Sequence, residues 1–213
     1  MTKADWRHRL TTMEADLGLS DGFRFVYGPL STLKTGRIAF LSLNPGRAPS
    51  ATNLREISDE RGNSYDVERH TTLSPIADQA LQAFAFFGAE PNEVLTGVVC
   101  PFRTPSWGDL SRSQQTRALA IGHEFWKEPL ERPDIDLIIC CSNDATHAIT
   151  DWLGARLETS LPAGWGSVQV HLYRTPQGVP ILALPHLSRF RLFGRPQSEA
   201  AIRALFEQAA KSD

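Results

Sequence analysis

Gly36-Arg37-Ile38-Ala39-Phe40-Leu41-Ser42-Leu43-Asn44-Pro45-Gly46-Arg47 is a short apolar run closed by turn residues. Arg37–Leu43 shows no polar–apolar alternation, so both of its faces must be covered, which is the pattern of a strand inside a parallel sheet. Asn-Pro-Gly then stops it, because proline cannot continue the ladder and glycine tolerates a sharp turn. Three further runs read the same way: Val94–Cys100, Ile135–Cys141 and Pro180–Leu184. A fifth segment, Ser167–Tyr173, alternates Val168, Val170 and Leu172. The Thr-Pro-Gln-Gly after it predicts a hairpin with Pro180–Leu184.

Helical patterns fall between these strands. Leu73–Phe87 spaces Ile76, Leu81, Phe84 and Phe87 near the helical repeat and stops at Gly88. Ser113–Lys127 is a second helix. A third starts at an Asn143 or Asp144 cap, carries Ala148, Ile149 and Trp152, and stops at Gly154. The last follows Pro196, with Ser198 as cap, and is expected to bury Ile202, Leu205 and Phe206. Strands alternating with helices predict an α/β fold: a three-layer α/β/α sandwich around a mostly parallel sheet of four to five strands, formed by residues 1–213 as one domain.

Composition narrows the class. The 213 residues are 41% hydrophobic, enough for one buried core. Charged residues make up 22%, an ordinary value for a folded chain. No apolar run approaches the roughly 18 residues of a membrane span. Residues 1–16 mix charges with Trp6, Leu10 and Met13 and lack the apolar centre of a signal peptide. A cytoplasmic monomer, away from membranes, is the expectation. Cys100, Cys140 and Cys141 read as buried thiols in a reducing compartment, too few for a four-cysteine zinc or iron–sulfur site. No metal and no cofactor is expected. The net charge of −2 argues against a general polyanion binder, yet His186–Arg195 carries Arg189, Arg191 and Arg195 and no acid.

In a parallel sheet, ligands bind beyond the carboxyl ends of the strands. Asn44 follows the first strand and His186 follows the last, so both are expected at one sheet edge. Each has an ordinary alternative: Asn44 as a turn residue before proline, His186 as a loop histidine that caps or packs. Ser142-Asn143-Asp144, after the third strand, reads as an ordinary helix cap.

Taken as an ordered set, these exits are similar to the motifs of the uracil-DNA glycosylase superfamily. Leu43-Asn44-Pro45-Gly46 resembles its first motif, closest to the Gly-Ile-Asn-Pro-Gly of the mismatch-specific uracil/thymine branch, with Ser42 in place of the first glycine. Thr96–Arg103 resembles the second strand and its exit. Pro185-His186-Leu187-Ser188-Arg189-Phe190 resembles the His-Pro-Ser motif and its intercalating loop, with Leu187 in place of proline. The likeness spans about residues 36 to 195. It implies a DNA glycosylase that flips a base out of single- or double-stranded DNA and hydrolyses its bond to the sugar, in repair or in defence against phages with modified DNA.

The resemblance also implies roles. Asn44 would hold the attacking water, and His186 would donate a hydrogen bond to the departing base. Leu43, Pro45, Gly46, Arg103 and Ser188 would line the base pocket, with Tyr65 or Phe102 as its aromatic wall. Both aromatics have packing as the plainer reading. Arg189, Arg191 and Arg195 would meet phosphates, with Phe190 either a wedge in the base stack or a core residue. Arg47, Arg55, Arg61 and Arg69, among several acids, read as a solvated face.

Two departures shape the expected chemistry. Several branches place a base-reading asparagine at the end of the second strand. Here Gly97 and Cys100 stand there, and Thr96 is the nearest polar residue, so a damaged or modified pyrimidine is expected to be preferred over uracil. Lys3, Lys34, Lys127 and Lys211 lie beside no motif, so a monofunctional hydrolase is expected rather than a Schiff-base lyase. Rival readings are a catalytically silent DNA or modified-base binder and a nucleoside or nucleotide N-glycosidase. A dinucleotide-binding protein would show Gly-x-Gly-x-x-Gly after the first strand, and none is present.

Overall fold

A computed structural model describes residues 1–46 and 54–210. In chain order the elements are α1 (Lys3–Asp16), α2 (Thr32–Thr35), β1 (Ile38–Ser42), α3 (Ser64–Arg69), α4 (Pro75–Phe86), β2 (Leu95–Val98), α5 (Arg112–Leu130), β3 (Leu137–Cys141), α6 (Asn143–Leu153), β4 (Arg156–Trp165), β5 (Val168–Arg174), β6 (Pro180–Leu184) and α7 (Pro196–Ala210). The sheet has six strands in the order β2-β1-β3-β6-β5-β4. β2, β1, β3 and β6 run parallel, and β5 and β4 are antiparallel. The expected hairpin of β5 with β6 forms, pairing Leu172 with Leu182.

The strand count corrects the expected four to five. The additional strand, β4, has no clear strand pattern in the sequence, since only one of its residues is buried and it holds Pro162 and Gly164. It is an edge strand, where proline costs no ladder bond, and bulges near Glu158 and Pro162 absorb its irregular register.

Side-chain alternation along the central strands divides the core in two. Ala39, Leu41, Ile138 and Cys140 face a cluster built with α1, α5 and α6. Phe40, Ile139, Cys141 and Leu182 face the opposite cluster, built with α4 and α7. Helices therefore cover both faces of the parallel strands, as their continuous hydrophobicity requires. No helix among the described residues is long and apolar enough to cross a membrane. All three cysteines are free and buried. Burial pushes the Cys100 and Cys141 thiols up to about 12, and Cys140 upward too, so none is a ready nucleophile or ligand.

Several helix ends differ from expectation. Thr2 and Asp5 cap α1 reciprocally, and α1 buries Trp6 and Leu10. Ser142, not Asn143 or Asp144, caps α6 through its side chain, and Gly154 ends α6 in the left-handed region. Ser198 is not a cap. It lies inside α7, fully buried, and donates to the Ala163 carbonyl at 2.6 Å. Phe206 is exposed rather than buried, with its ring 5.2 Å from that of Phe87.

One close approach fixes how α5 lies on the sheet. A Cβ on Gly122 would stand 1.8 Å from the Val99 carbonyl oxygen. Backbone cannot give way as a flexible side chain can, so Gly122→Ala must push α5 off the β2 exit. We expect a loss of roughly 1–3 kcal/mol or more, read as a lower midpoint in urea unfolding. An unchanged midpoint would mean that α5 packs elsewhere.

Candidate active site

The carboxyl ends of β1, β3 and β6 meet at one edge. Ser42 and Leu184 both pair with Cys141, one from each side. Asn44 and His186 each stand two residues beyond that common level. They therefore lie in loops that leave the same sheet edge, from strands two spacings, about 10 Å, apart. Both line a single cleft of about 1670 Å³.

The Asn44 loop is held from the β2 side. The Val99 and Cys100 amides donate to the Ser42 and Leu43 carbonyls at 2.9 and 2.8 Å. Gly46 then turns with φ of +63°, a conformation natural to glycine. The Asn44 Nδ2 donates to the Thr104 hydroxyl at 2.9 Å. Thr104 is buried, so the bond is shielded from water. It holds the amide through its nitrogen, and Oδ1 has no partner among the described residues. Thr104 escaped the sequence reading, since only its spacing two residues after Phe102 marks it.

The His186 ring is set by its own turn. The Ser188 backbone N–H donates to Nδ1 at 3.3 Å, and the Ser188 hydroxyl lies 2.7 Å from the same nitrogen. A backbone amide can only donate, so Nδ1 is the acceptor and the neutral ring carries its proton on Nε2. Burial, helped by the nearby Arg189 charge, lowers the His186 pKa. The ring is thus neutral at pH 7 with Nε2–H as a free donor.

Between the two loops lies Ser142, with φ of 134° and ψ of 158°. It is the only non-glycine residue of positive φ among the described residues. That region is populated almost solely by glycine and costs on the order of 1–3 kcal/mol. The segment expected as an ordinary cap is therefore the strained point of the backbone, at the centre of the cleft's floor.

The cleft has an aromatic wall, though not the expected pair. Tyr65 lines it and stacks on Tyr27, with ring centroids 5.5 Å apart and 21° between planes. Tyr27 sits in an irregular segment without motif, which hid it from sequence reading. Phe102 has no exposure and bridges to Phe23 in the core, away from the cleft, so packing is its role. Thr96 is likewise unavailable. Its hydroxyl accepts from Asn63 Nδ2 at 2.8 Å, and the residue is fully buried.

The basic loop after His186 divides. Arg189 lines the cleft and has no carboxylate partner among the described residues. Phe190 also lines it, half-buried, edge-on to Trp165 with ring centroids 6.0 Å apart. Arg191 pairs with Asp78 at 2.9 Å, and the Arg195 guanidinium lies 4.0 Å over Trp165 and donates to the Gly164 carbonyl. Those last two fasten the loop to the body. The solvated-face reading holds for Arg55, Arg61 and Arg69, which pair with Glu14, Asp59 and Asp66. Arg47 lies outside the described residues.

No protein-family model matches the chain, and no curated protein is similar to it. The functional reading therefore rests on the geometry and the motifs. Among the described residues no group of three or more His, Cys, Asp or Glu side chains could hold a metal.

Proposed function

We propose that the protein is a DNA glycosylase of the uracil-DNA glycosylase type, which everts a base and hydrolyses its N-glycosidic bond, leaving an abasic site. One observation carries this reading. Asn44 and His186 follow the strands on either side of β3 and line one cleft, each already oriented by a hydrogen bond that leaves the useful atom free. Asn44 Oδ1 accepts a hydrogen bond from the water and holds it in place. His186 Nε2–H donates to the departing base. The bond from C1′ to the base nitrogen breaks with its electron pair on the base, and the sugar gains oxocarbenium character. The water oxygen then bonds C1′, and its surplus proton passes to solvent, which also protonates the base. An amide is no base, but a dissociative cleavage needs only a placed water and a stabilised leaving group.

Two further features support the reading. The cleft exceeds the roughly 300–1,000 Å³ of small-ligand sites, which favours an extended substrate over a free nucleoside. No lysine among the described residues lines it, which favours direct hydrolysis over a Schiff-base lyase.

Base release from labelled oligonucleotides, followed by alkali cleavage, tests the proposal. The panel holds uracil, mismatched thymine, hypoxanthine and modified cytosines, in single and double strands. Thr96 is sealed off and Gly97 lies against Phe25 and Trp126, so neither position offers a polar reader for the uracil edge. We expect a modified or damaged pyrimidine to be released faster than uracil. A clear preference for uracil would overturn that specificity, and no release from any member would overturn the activity.

A further inference from the structure

Among the described residues four arginines line the cleft: Arg24, Arg61, Arg103 and Arg189. Two are neutralised. Arg24 is bound by Glu56, Asp59 and the Ser64 hydroxyl, and Arg61 by Asp59. Burial opposes ionisation of Asp59. The Arg61 guanidinium, the Ser64 hydroxyl and the Arg24 charge outweigh it and hold the carboxyl at about 2, so this acid is a full counter-charge.

Arg103 is different. It is half-buried, and it has no carboxylate partner among the described residues. Among the described residues its only side-chain bonds are long ones, 3.4 Å from Nη1 to the carbonyls of Pro45 and Gly46, and its buried Nε has no partner there. Residues 47–53, Arg-Ala-Pro-Ser-Ala-Thr-Asn, contain no acid that could supply one. A half-buried cation left uncompensated is costly unless a ligand brings the missing charge. Arg189, exposed at the cleft and also without a carboxylate partner among the described residues, follows His186 on the β6 side. The two belong to the loops after β2 and β6, strands three spacings or about 14 Å apart in the sheet, and the Arg103 guanidinium reaches the loop after β1.

The geometry points to a two-phosphate clamp: Arg103 takes the phosphate on one side of the everted nucleotide and Arg189 the phosphate on the other, so that the strand crosses the cleft from the β2 exit to the β6 exit. This rests on the nucleic-acid reading of the cleft but not on its chemistry. Arg103 would fix which nucleotide reaches Asn44, because its guanidinium touches the carbonyls directly after that residue. A guanidinium can meet phosphate oxygens in parallel pairs where a point charge cannot.

Binding, not base release, is the readout, so a protein that binds without cutting still decides the matter. The probes are thymidine, its 5′-monophosphate, its 3′-monophosphate and 5-carboxy-2′-deoxyuridine, titrated by NMR or calorimetry. The wild-type protein is expected to bind one monophosphate about tenfold or more tighter than thymidine, the advantage vanishing in Arg103→Gln and surviving in Arg189→Gln. The other monophosphate should show the reverse dependence. Arg103→Lys should recover only part of the loss. Equal binding of charged and neutral probes by the wild type would overturn the proposal, whatever the variants do. So would a phosphate advantage indifferent to Arg103. An Arg103-dependent gain for the carboxylated base alone would overturn the phosphate assignment and give this arginine to the base instead.

Discussion

Asn44→Ala should lower base release by about 10²-fold or more while leaving DNA binding close to wild type. The loss is large because alanine removes the acceptor that places the water, and water elsewhere in the cleft is not aimed at C1′. It has a structural cost as well. The buried Thr104 hydroxyl loses the donor it meets at 2.9 Å, worth about 1–3 kcal/mol if nothing replaces it. Asn44→Asp separates the two effects. Its carboxylate can accept from Thr104 and can still hold a water, so it should keep more activity than alanine at similar stability. Single-turnover excision, with melting temperature as control, reads both variants. Equal activity in Asn44→Ala and wild type would remove Asn44 from the reaction.

His186→Ala should cost about 2.7–4 kcal/mol in the barrier, a rate loss of about 10²–10³-fold, because the departing base loses its donor. The pH profile is the more specific signature. Burial and Arg189 lower the His186 pKa, so the neutral form persists below the ordinary histidine value of 6.5. As pH falls through the folded-state pKa, Nδ1 gains a proton and can no longer accept from the Ser188 amide, which releases the ring from its fixed orientation. Activity should therefore hold through pH 6.5 and fall only at a lower pH. Linkage has the same direction. Between the folded pKa and 6.5 the unfolded chain binds more protons at this site, so its contribution to stability is present above 6.5 and is lost as pH falls. A limb centred at or above 6.5 would contradict the neutral-donor role. Ser188→Ala removes only the hydroxyl and keeps the backbone donor, so its profile should shift little.

Much of the fold was legible because both faces of the parallel strands are covered. β1, β3 and β6 are continuous apolar runs, and their exits put Asn44 and His186 on one edge without any coordinate. What sequence missed has a common cause: stabilisation from outside the local pattern. β4 is polar, exposed and bulged, and it exists because β5 pairs with it. α1 is amphipathic only through a few large residues, and Trp6 packs edge-on against Phe25 and Phe125, from distant segments. Ser142 looked like an ordinary cap because strain has no composition signature. In the site, motif position located the loops, while the partners that orient them came from elsewhere. Thr104 sets Asn44, Tyr27 backs Tyr65, and Asp78 removes Arg191 from the free cations. An acid-free stretch of chain is thus no guarantee of an acid-free surface.

The central claim is that this cleft breaks N-glycosidic bonds in DNA through Asn44. The most direct test does not need the target base to be known. Genomic and phage DNA carrying diverse base modifications is incubated with the wild-type protein or with Asn44→Ala, and aldehydic abasic sites are counted with an alkoxyamine probe. The account predicts that abasic sites accumulate with the wild-type protein in at least one DNA and not with Asn44→Ala. No accumulation in any DNA, or equal accumulation with both proteins, would contradict it.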